Sequence, residues 1–386
     1  MKWLSSLLLC FALLYPLRTF ATPILVPTPP PVAARAYLLS DFHSGKVLME
    51  KNADERVEPA SLTKLMTAYL VFQRLRTGKI KLTDTVRISK KAWRRSRRSS
   101  RMYLKADTLV PVELLVKGMI IQSGNDASIA LAEFIAGSED GFVSLMNEQA
   151  QRLGLTNTYY RNSTGLPDEG HYSTARDSAR IAQALIRDFP EYYRWYSERE
   201  FTYNAITQFN RNRLLRHKPT VAGMKVDGMK TGHTEAAGYC LVASALVGQM
   251  RLISVVMGTK SKKARTRMSE KMLDYGFRFF ETYRLYKAHE PIDTERVWQG
   301  NTSQLQLGLS EPLYITVPNG QSKPLNAILR IDKYITAPFK AFKPYGTLEI
   351  RLGNQVISSR PLVALSSVDK GPLWKRLRDS FLLLFY

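Results

Sequence analysis

Apolar residues recur at two different periods along this chain, and the change of period divides it. After Pro59, residues Leu62, Leu65, Met66, Tyr69 and Leu70 fall three or four apart, which gathers them on one side of a helix. Proline suits the first helical turn, and Gly78 ends the run. The same spacing predicts helices over Val112–Gln122, Asp126–Ala136, Gly141–Leu153 and Thr174–Phe189, and a further one from about Thr266 to Phe280. Two near-continuous apolar runs, Tyr239–Leu246 and Leu252–Met257, are joined by Val247–Arg251 and read as adjacent antiparallel strands. Tyr37–Lys51 reads as a hairpin turning at Ser44-Gly45. Helices before and after a short set of strands predict an α/β domain of the α+β type, an antiparallel sheet flanked by helices.

After about Tyr286 the period shortens to two. Leu305, Leu307 and Leu309 alternate, as do Leu348, Ile350 and Leu352, with turn signals at Pro318-Asn319-Gly320 and Gly353-Asn354. This predicts a small all-β domain without a cluster of catalytic groups. In the closing stretch, Leu373, Trp374, Leu377, Phe381, Leu384 and Phe385 return to steps of three and four, as in an amphipathic helix. The expected layout is a signal peptide over 1–21, a Pro-rich tether over 22–33, a catalytic domain over 34–285, a β-rich domain over 286–367 and an amphipathic helix over 368–386. There is no internal repeat.

The beginning of the chain changes the picture. Lys2 precedes the apolar run Leu4–Leu14, which is too short to span a bilayer, and Thr19-Phe20-Ala21 offers a cleavage site after Ala21. Bulky Leu9 argues against a lipoprotein reading of Cys10. Once Cys10 is removed, Cys240 is the only cysteine left, so no intramolecular disulfide forms, and its apolar neighbours suggest a buried strand thiol. The formal net charge of +23 favours anionic partners. Export argues against nucleic acid and leaves acidic lipid headgroups or an anionic polymer. Lys370, Lys375, Arg376 and Arg378 precede an uncharged end, Phe381–Tyr386, far too short to cross a membrane. A helix lying in the interface would hold the protein peripherally on the periplasmic face of the cytoplasmic membrane.

Three short motifs carry the chemistry: Ser61-Leu62-Thr63-Lys64, Ser123-Gly124-Asn125 and Lys230-Thr231-Gly232. Each alone is commonplace; together and in this order they are specific. Ser61 and Lys64 stand three apart at a helix start, so both side chains share a face. A serine hydroxyl needs a neighbouring base. Lysine serves only if burial or a second cation, here Lys230, lowers its pKa. Gly124 would permit a tight turn, from which Ser123 relays a proton to the leaving amine and Asn125 holds Lys64 and the substrate amide. Gly232 leaves room for a substrate lying along a strand edge. The N–H groups of Ser61 and His233 would form an oxyanion hole, the His233 ring itself being incidental. This chemistry requires no metal and no cofactor.

On these motifs the chain resembles the low-molecular-mass penicillin-binding proteins, serine-type D-alanyl-D-alanine carboxypeptidases. The resemblance runs from about Ala34 to Tyr386. It includes Pro59–Thr67, Gln122–Ala127, Lys230–Thr234 and a loop at Thr164-Gly165-Leu166-Pro167-Asp168. It implies a penicillin-binding/β-lactamase-like transpeptidase fold, removal of the terminal D-alanine from peptidoglycan pentapeptides, and covalent trapping by β-lactams. It also implies substrate contacts at Thr231, Gly232 and His233. Arg265 falls where the family binds the terminal carboxylate, the alternative being a plain surface arginine. The chain departs from the family at Trp93–Leu104, where Arg94, Arg95, Arg97, Arg98 and Arg101 crowd together. These are either a solvated loop or a flank that attracts carboxylates. A β-lactamase would need a deacylating glutamate, and Glu169 lacks that context. A DD-endopeptidase would use the same residues, and a non-catalytic basic cell-envelope protein would retain them as relics.

Overall fold

The computed structural model describes residues 26–96, 99–321 and 325–385. The expected signal peptide, Cys10, the first residues of the tether, Arg97 and Arg98 lie outside them.

Five antiparallel strands form the central sheet, in the order Val47–Lys51, Ala36–Asp41, Met250–Thr259, Gly238–Val247, Lys225–Thr234. Alternate residues enter two different cores. Leu38, Val242 and Val255 pack with the main helical cluster, while Leu39, Leu241 and Val256 pack beneath the helix Lys262–Phe279. Burial on both faces explains why these strands read as continuous apolar runs. The periodicity missed the strand Lys225–Thr234, which is polar at both ends. The motif Lys230-Thr231-Gly232 therefore lies within a strand of its own, at the free edge of the sheet.

The helix Lys64–Arg76 lies inside the main cluster, with every residue from Lys64 to Phe72 buried. The helices Val112–Ile121, Asn125–Ala136, Glu139–Arg152 and Ala175–Asp188 surround it. Three starts differ from expectation. The Pro59 segment is first a 3₁₀ turn, Ala60–Thr63, and becomes α-helical only at Lys64. The predicted Gly141 start moves back to Glu139, where Ser138 Oγ accepts from the Gly141 N–H at 3.1 Å. The predicted Thr266 start moves back to Lys262, capped by Ser261. In the last two cases a serine cap fixes the end, and the charged first turn carries no apolar signal.

The carboxy-terminal domain is all-β. Its six-stranded sheet runs Leu325–Ile331, Pro344–Leu352, Gln355–Ala364, Gln304–Gly308, Asp293–Trp298, Ile335–Thr336, and Phe280–Tyr286 pairs with Leu313–Pro318 beside it. The amphipathic helix spans Leu373–Leu382.

A buried carboxylate joins the two domains. Asp41 accepts from the Ser44 N–H at 2.6 Å and the Ser44 hydroxyl at 2.8 Å, and its other oxygen accepts from Thr282 Oγ1 at 2.8 Å. Ser44 and Thr282 both reach Thr316 Oγ1, and His43 stacks on Tyr314 at 4.3 Å. Truncating Asp41 would leave the partly buried Ser44 and Thr282 donors without their acceptor, so Asp41→Ala should lower unfolding stability by about 2 kcal/mol. Chemical denaturation checks this; a loss under about 0.5 kcal/mol would show that the network carries no load.

Candidate active site

The nucleophile candidate sits on a strained turn. Ala60, a non-glycine residue, has φ +47°, and Ser61 follows in the 3₁₀ turn that delivers Lys64 to the first position of the buried helix. Lys64 Nζ donates to Asn125 Oδ1 at 2.5 Å and to the Thr164 carbonyl at 2.6 Å, and lies 3.3 Å from Ser61 Oγ. Burial is the main cause of a pKa depressed to about 7; Arg211 lowers it further, while Asp126 and Glu139 oppose. A neutral amine has two N–H donors and one lone pair. The two short bonds end on obligate acceptors, so the lone pair is left for the Ser61 hydroxyl.

Ser123 and Asn125 approach from the link between two helices. The left-handed residue there is Ser123, φ +66°, and not Gly124, whose φ of −58° any residue adopts. Gly124 is needed for closeness: an added Cβ would stand 2.9 Å from Asp126 Oδ1. Among the described residues Ser123 Oγ is buried without a hydrogen-bond partner. Asn125 Nδ2 donates to Ser99 Oγ at 2.7 Å and its N–H to the Ser100 carbonyl at 2.8 Å. Asp126 then accepts from the N–H groups of Met102 and Leu104.

Lys230 closes the constellation from the edge strand. It is buried, and its amine donates to the Thr231 carbonyl at 3.0 Å. Its pKa falls well below the ordinary value through burial first and repulsion from Lys64 next. Thr231 is buried beside it. Gly232 abuts the nucleophile turn: an added Cβ would lie 3.0 Å from the Pro59 carbonyl oxygen and 3.3 Å from Ser61 N. The exposed His233 ring stacks on Tyr239 at 3.9 Å. Arg265 is not the surface arginine of the alternative reading. It is buried, and Nη1 donates to the carbonyls of Gly232 at 2.9 Å and Cys240 at 3.3 Å, bracing the edge strand from behind. Burial pushes the Cys240 thiol up to about 11, as expected of an inert core cysteine.

Three residues escaped the sequence reading. Arg211 Nε donates to the Gln122 carbonyl at 2.8 Å and steadies the Ser123 turn. His171 Nε2 lies 3.0 Å from Thr63 Oγ1, and burial lowers its pKa to about 4. Glu139 is buried among the supports of the Thr164 loop. None stands in a motif, and a lone arginine, histidine or helix-start glutamate carries no signal of its own. The arginine cluster also divides. Arg94 is exposed, Arg95 pairs with Glu139 at 3.1 Å together with Lys91 at 3.3 Å, and Arg101 lies over the Tyr103 ring. Glu169 is exposed. Among the described residues no group of three or more His, Cys, Asp or Glu side chains could hold a metal.

A serine beside a buried lysine, with a second lysine on the adjacent sheet edge, defines an active-site-serine enzyme of the penicillin-binding fold. The chain belongs to the D-alanyl-D-alanine carboxypeptidase family: the family model matches residues 25–261, and that of the penicillin-binding protein 5 C-terminal domain matches residues 280–370. It is 49% identical over 362 residues to D-alanyl-D-alanine carboxypeptidase DacC of Escherichia coli (strain K12), covering 92% of this chain and 90% of that one. D-alanyl-D-alanine carboxypeptidase DacA of the same organism is 45% identical, covering 94% and 90%. The crystal structure of penicillin binding protein 5 from Haemophilus influenzae superposes with a TM-score of 0.84 at 44% identity, over 89% of this chain and all of that one.

Two glycines at the site should respond differently to a methyl group. At Gly165, φ +81°, an added Cβ would lie 1.7 Å from the Ala60 carbonyl oxygen, so backbone must move. Gly165→Ala should lose both thermal stability and labelling by a fluorescent penicillin. Gly232→Ala, with neighbours at 3.0 to 3.3 Å, should melt near the parent yet label more slowly. Equal behaviour of the two would refute this account of the turn.

Proposed function

We propose that the chain is an exported DD-carboxypeptidase that removes the terminal D-alanine from peptidoglycan pentapeptides through an acyl-enzyme at Ser61. The observation that carries this is the Lys64 amine, buried, held by two acceptors and left facing Ser61 Oγ. Lys64 takes the hydroxyl proton as Ser61 Oγ attacks the penultimate D-alanine carbonyl. The Ser61 and His233 N–H groups receive the oxyanion. The C–N bond then breaks, Ser123 passes a proton to the departing D-alanine amine, and water hydrolyses the ester. Lys230 and Arg211 keep the site positive for an anionic substrate. Arg265 receives the terminal carboxylate with the part of its guanidinium not engaged with the edge strand. β-Lactams acylate the same serine.

The test compares products by mass spectrometry. Free D-alanine from a pentapeptide should exceed cleavage of a cross-linked dimer; the reverse would favour an endopeptidase. Ser61→Ala should abolish covalent penicillin labelling with the fold intact, and a variant that still labelled would remove Ser61 from the mechanism. A proton on Lys64 blocks the base. The acylation rate should therefore fall about tenfold per unit as pH drops below about 7, and level off above it.

The same reading places the enzyme against a membrane surface through its carboxy-terminal helix. Leu373, Trp374, Leu377, Phe381, Leu384 and Phe385 are 61 to 78% exposed, an apolar face that water does not favour. The helix does not cover the β-domain with that face. It docks through Asp379, which is buried and accepts from the Gln299 N–H at 2.8 Å. Among the described residues no helix is long and apolar enough to cross a membrane. Truncation after Gly371 should release active enzyme into the soluble fraction with unchanged turnover of a small soluble substrate. Persistent sedimentation with membranes at high salt would place the anchor elsewhere.

A further inference from the structure

The Lys64–Asn125 pair is held by two segments, and one buried carboxylate joins them. Glu139 opens the helix Glu139–Arg152 and is almost completely buried. Its Oε1 accepts from the Ser163 N–H at 3.2 Å and the Ser163 hydroxyl at 2.9 Å. The Ser163 carbonyl is clamped in turn by Thr67 Oγ1 and Ser128 Oγ, each at 2.7 Å. The next carbonyl, of Thr164, is the one that accepts from Lys64. On its other side, Glu139 Oε2 takes Lys91 and Arg95 from the short helix Lys90–Arg95. That helix leads to Ser99 and Ser100, which hold Asn125.

We infer that Glu139 is a positioning residue for acylation. It couples the Thr164 loop to the basic segment 90–101, so that the Lys64 amine is gripped from both sides. This rests on reading Lys64 as the base for Ser61. It also gives part of the unusual basic segment an inward role: Lys91 and Arg95 complete the Glu139 site, whereas Arg94 is exposed.

The inference makes an electrostatic claim that a purely structural role does not. The charged groups acting on or from Lys64 are Asp126 and Glu139, which raise its pKa, Arg211, which lowers it, and Lys230 and His171, which feel Lys64 in turn. Glu139→Gln preserves an oxygen for Ser163 but removes the negative charge, so the Lys64 pKa falls. Replacing both Lys91 and Arg95 by Met leaves that charge uncompensated, so the Lys64 pKa rises. The half-exposed Lys91 and Arg95 side chains can be replaced without opening the core.

The experiment is the pH dependence of the second-order rate of acylation by benzylpenicillin for the full chain and both variants. Expected are a loss of about tenfold or more in the plateau rate of Glu139→Gln, with its acid limb moved to lower pH. The Lys91→Met/Arg95→Met protein should move the limb to higher pH. Unmoved limbs in both, with or without a lower rate, would overturn the proposal by making Glu139 scaffold alone. If Glu139→Gln does not fold, the Met pair decides by the same criterion. A parent protein that failed to acylate would instead overturn the reading of Ser61 and Lys64, and so is distinguishable.

Discussion

An amine removed from water must find acceptors or hold its proton less tightly, and Lys64 has two acceptors and a pKa lowered to about 7. That requirement organises the catalytic domain. Its two acceptors come from Asn125 and Thr164, 61 and 100 residues further along the chain, so the site exists only once three distant segments have packed. The helix that begins at Lys64 is buried on every side from Lys64 to Phe72, which fixes the amine's position and removes solvent that would favour its protonated form. The strain at Ala60 and Ser123 is tolerated because this packing leaves neither turn an alternative.

The free edge of the central sheet is the second constraint. An unpaired edge strand is open to any extended chain, and here that openness is limited to one place. The nucleophile turn lies so near Gly232 that a single methyl group would crowd it, while Arg265 holds the Gly232 carbonyl from behind. Under the proposed function, a substrate would enter here as an added strand with its carbonyl beside Ser61.

Much of this was legible in the residues. The helices with clear apolar periods appeared close to where they were expected, and the three motifs came together around one amine. Failures fell where the signal is not periodic. Serine caps moved two helix starts, and a strand with polar ends hid the location of Lys230. The positive φ in the second motif belongs to Ser123 because Gly124 is required for a close approach that sequence cannot display. Burial rules out the surface reading of Arg265, and its described bonds go to backbone carbonyls, partners that leave no pattern in the sequence. Arg211, His171 and Glu139 act through backbone groups or buried side chains in the same way, and residues of that kind become visible only in three dimensions.

The excess of positive charge is likewise not one property. Lys64, Lys230 and Arg211 are turned into the site, where burial and repulsion between the cations lower the lysine pKa values. Lys91 and Arg95 are spent on Glu139. Lys375, Arg376 and Arg378 lie on the helix whose apolar face is exposed. That last arrangement depends on Asp379. An acid in the middle of an otherwise basic amphipathic helix would weaken attraction to anionic headgroups if it faced them. Buried against Gln299 instead, it turns the helix so that its single carboxylate points at the protein and its apolar side points away. The orientation of the helix is therefore set by the β-domain itself, through one buried carboxylate.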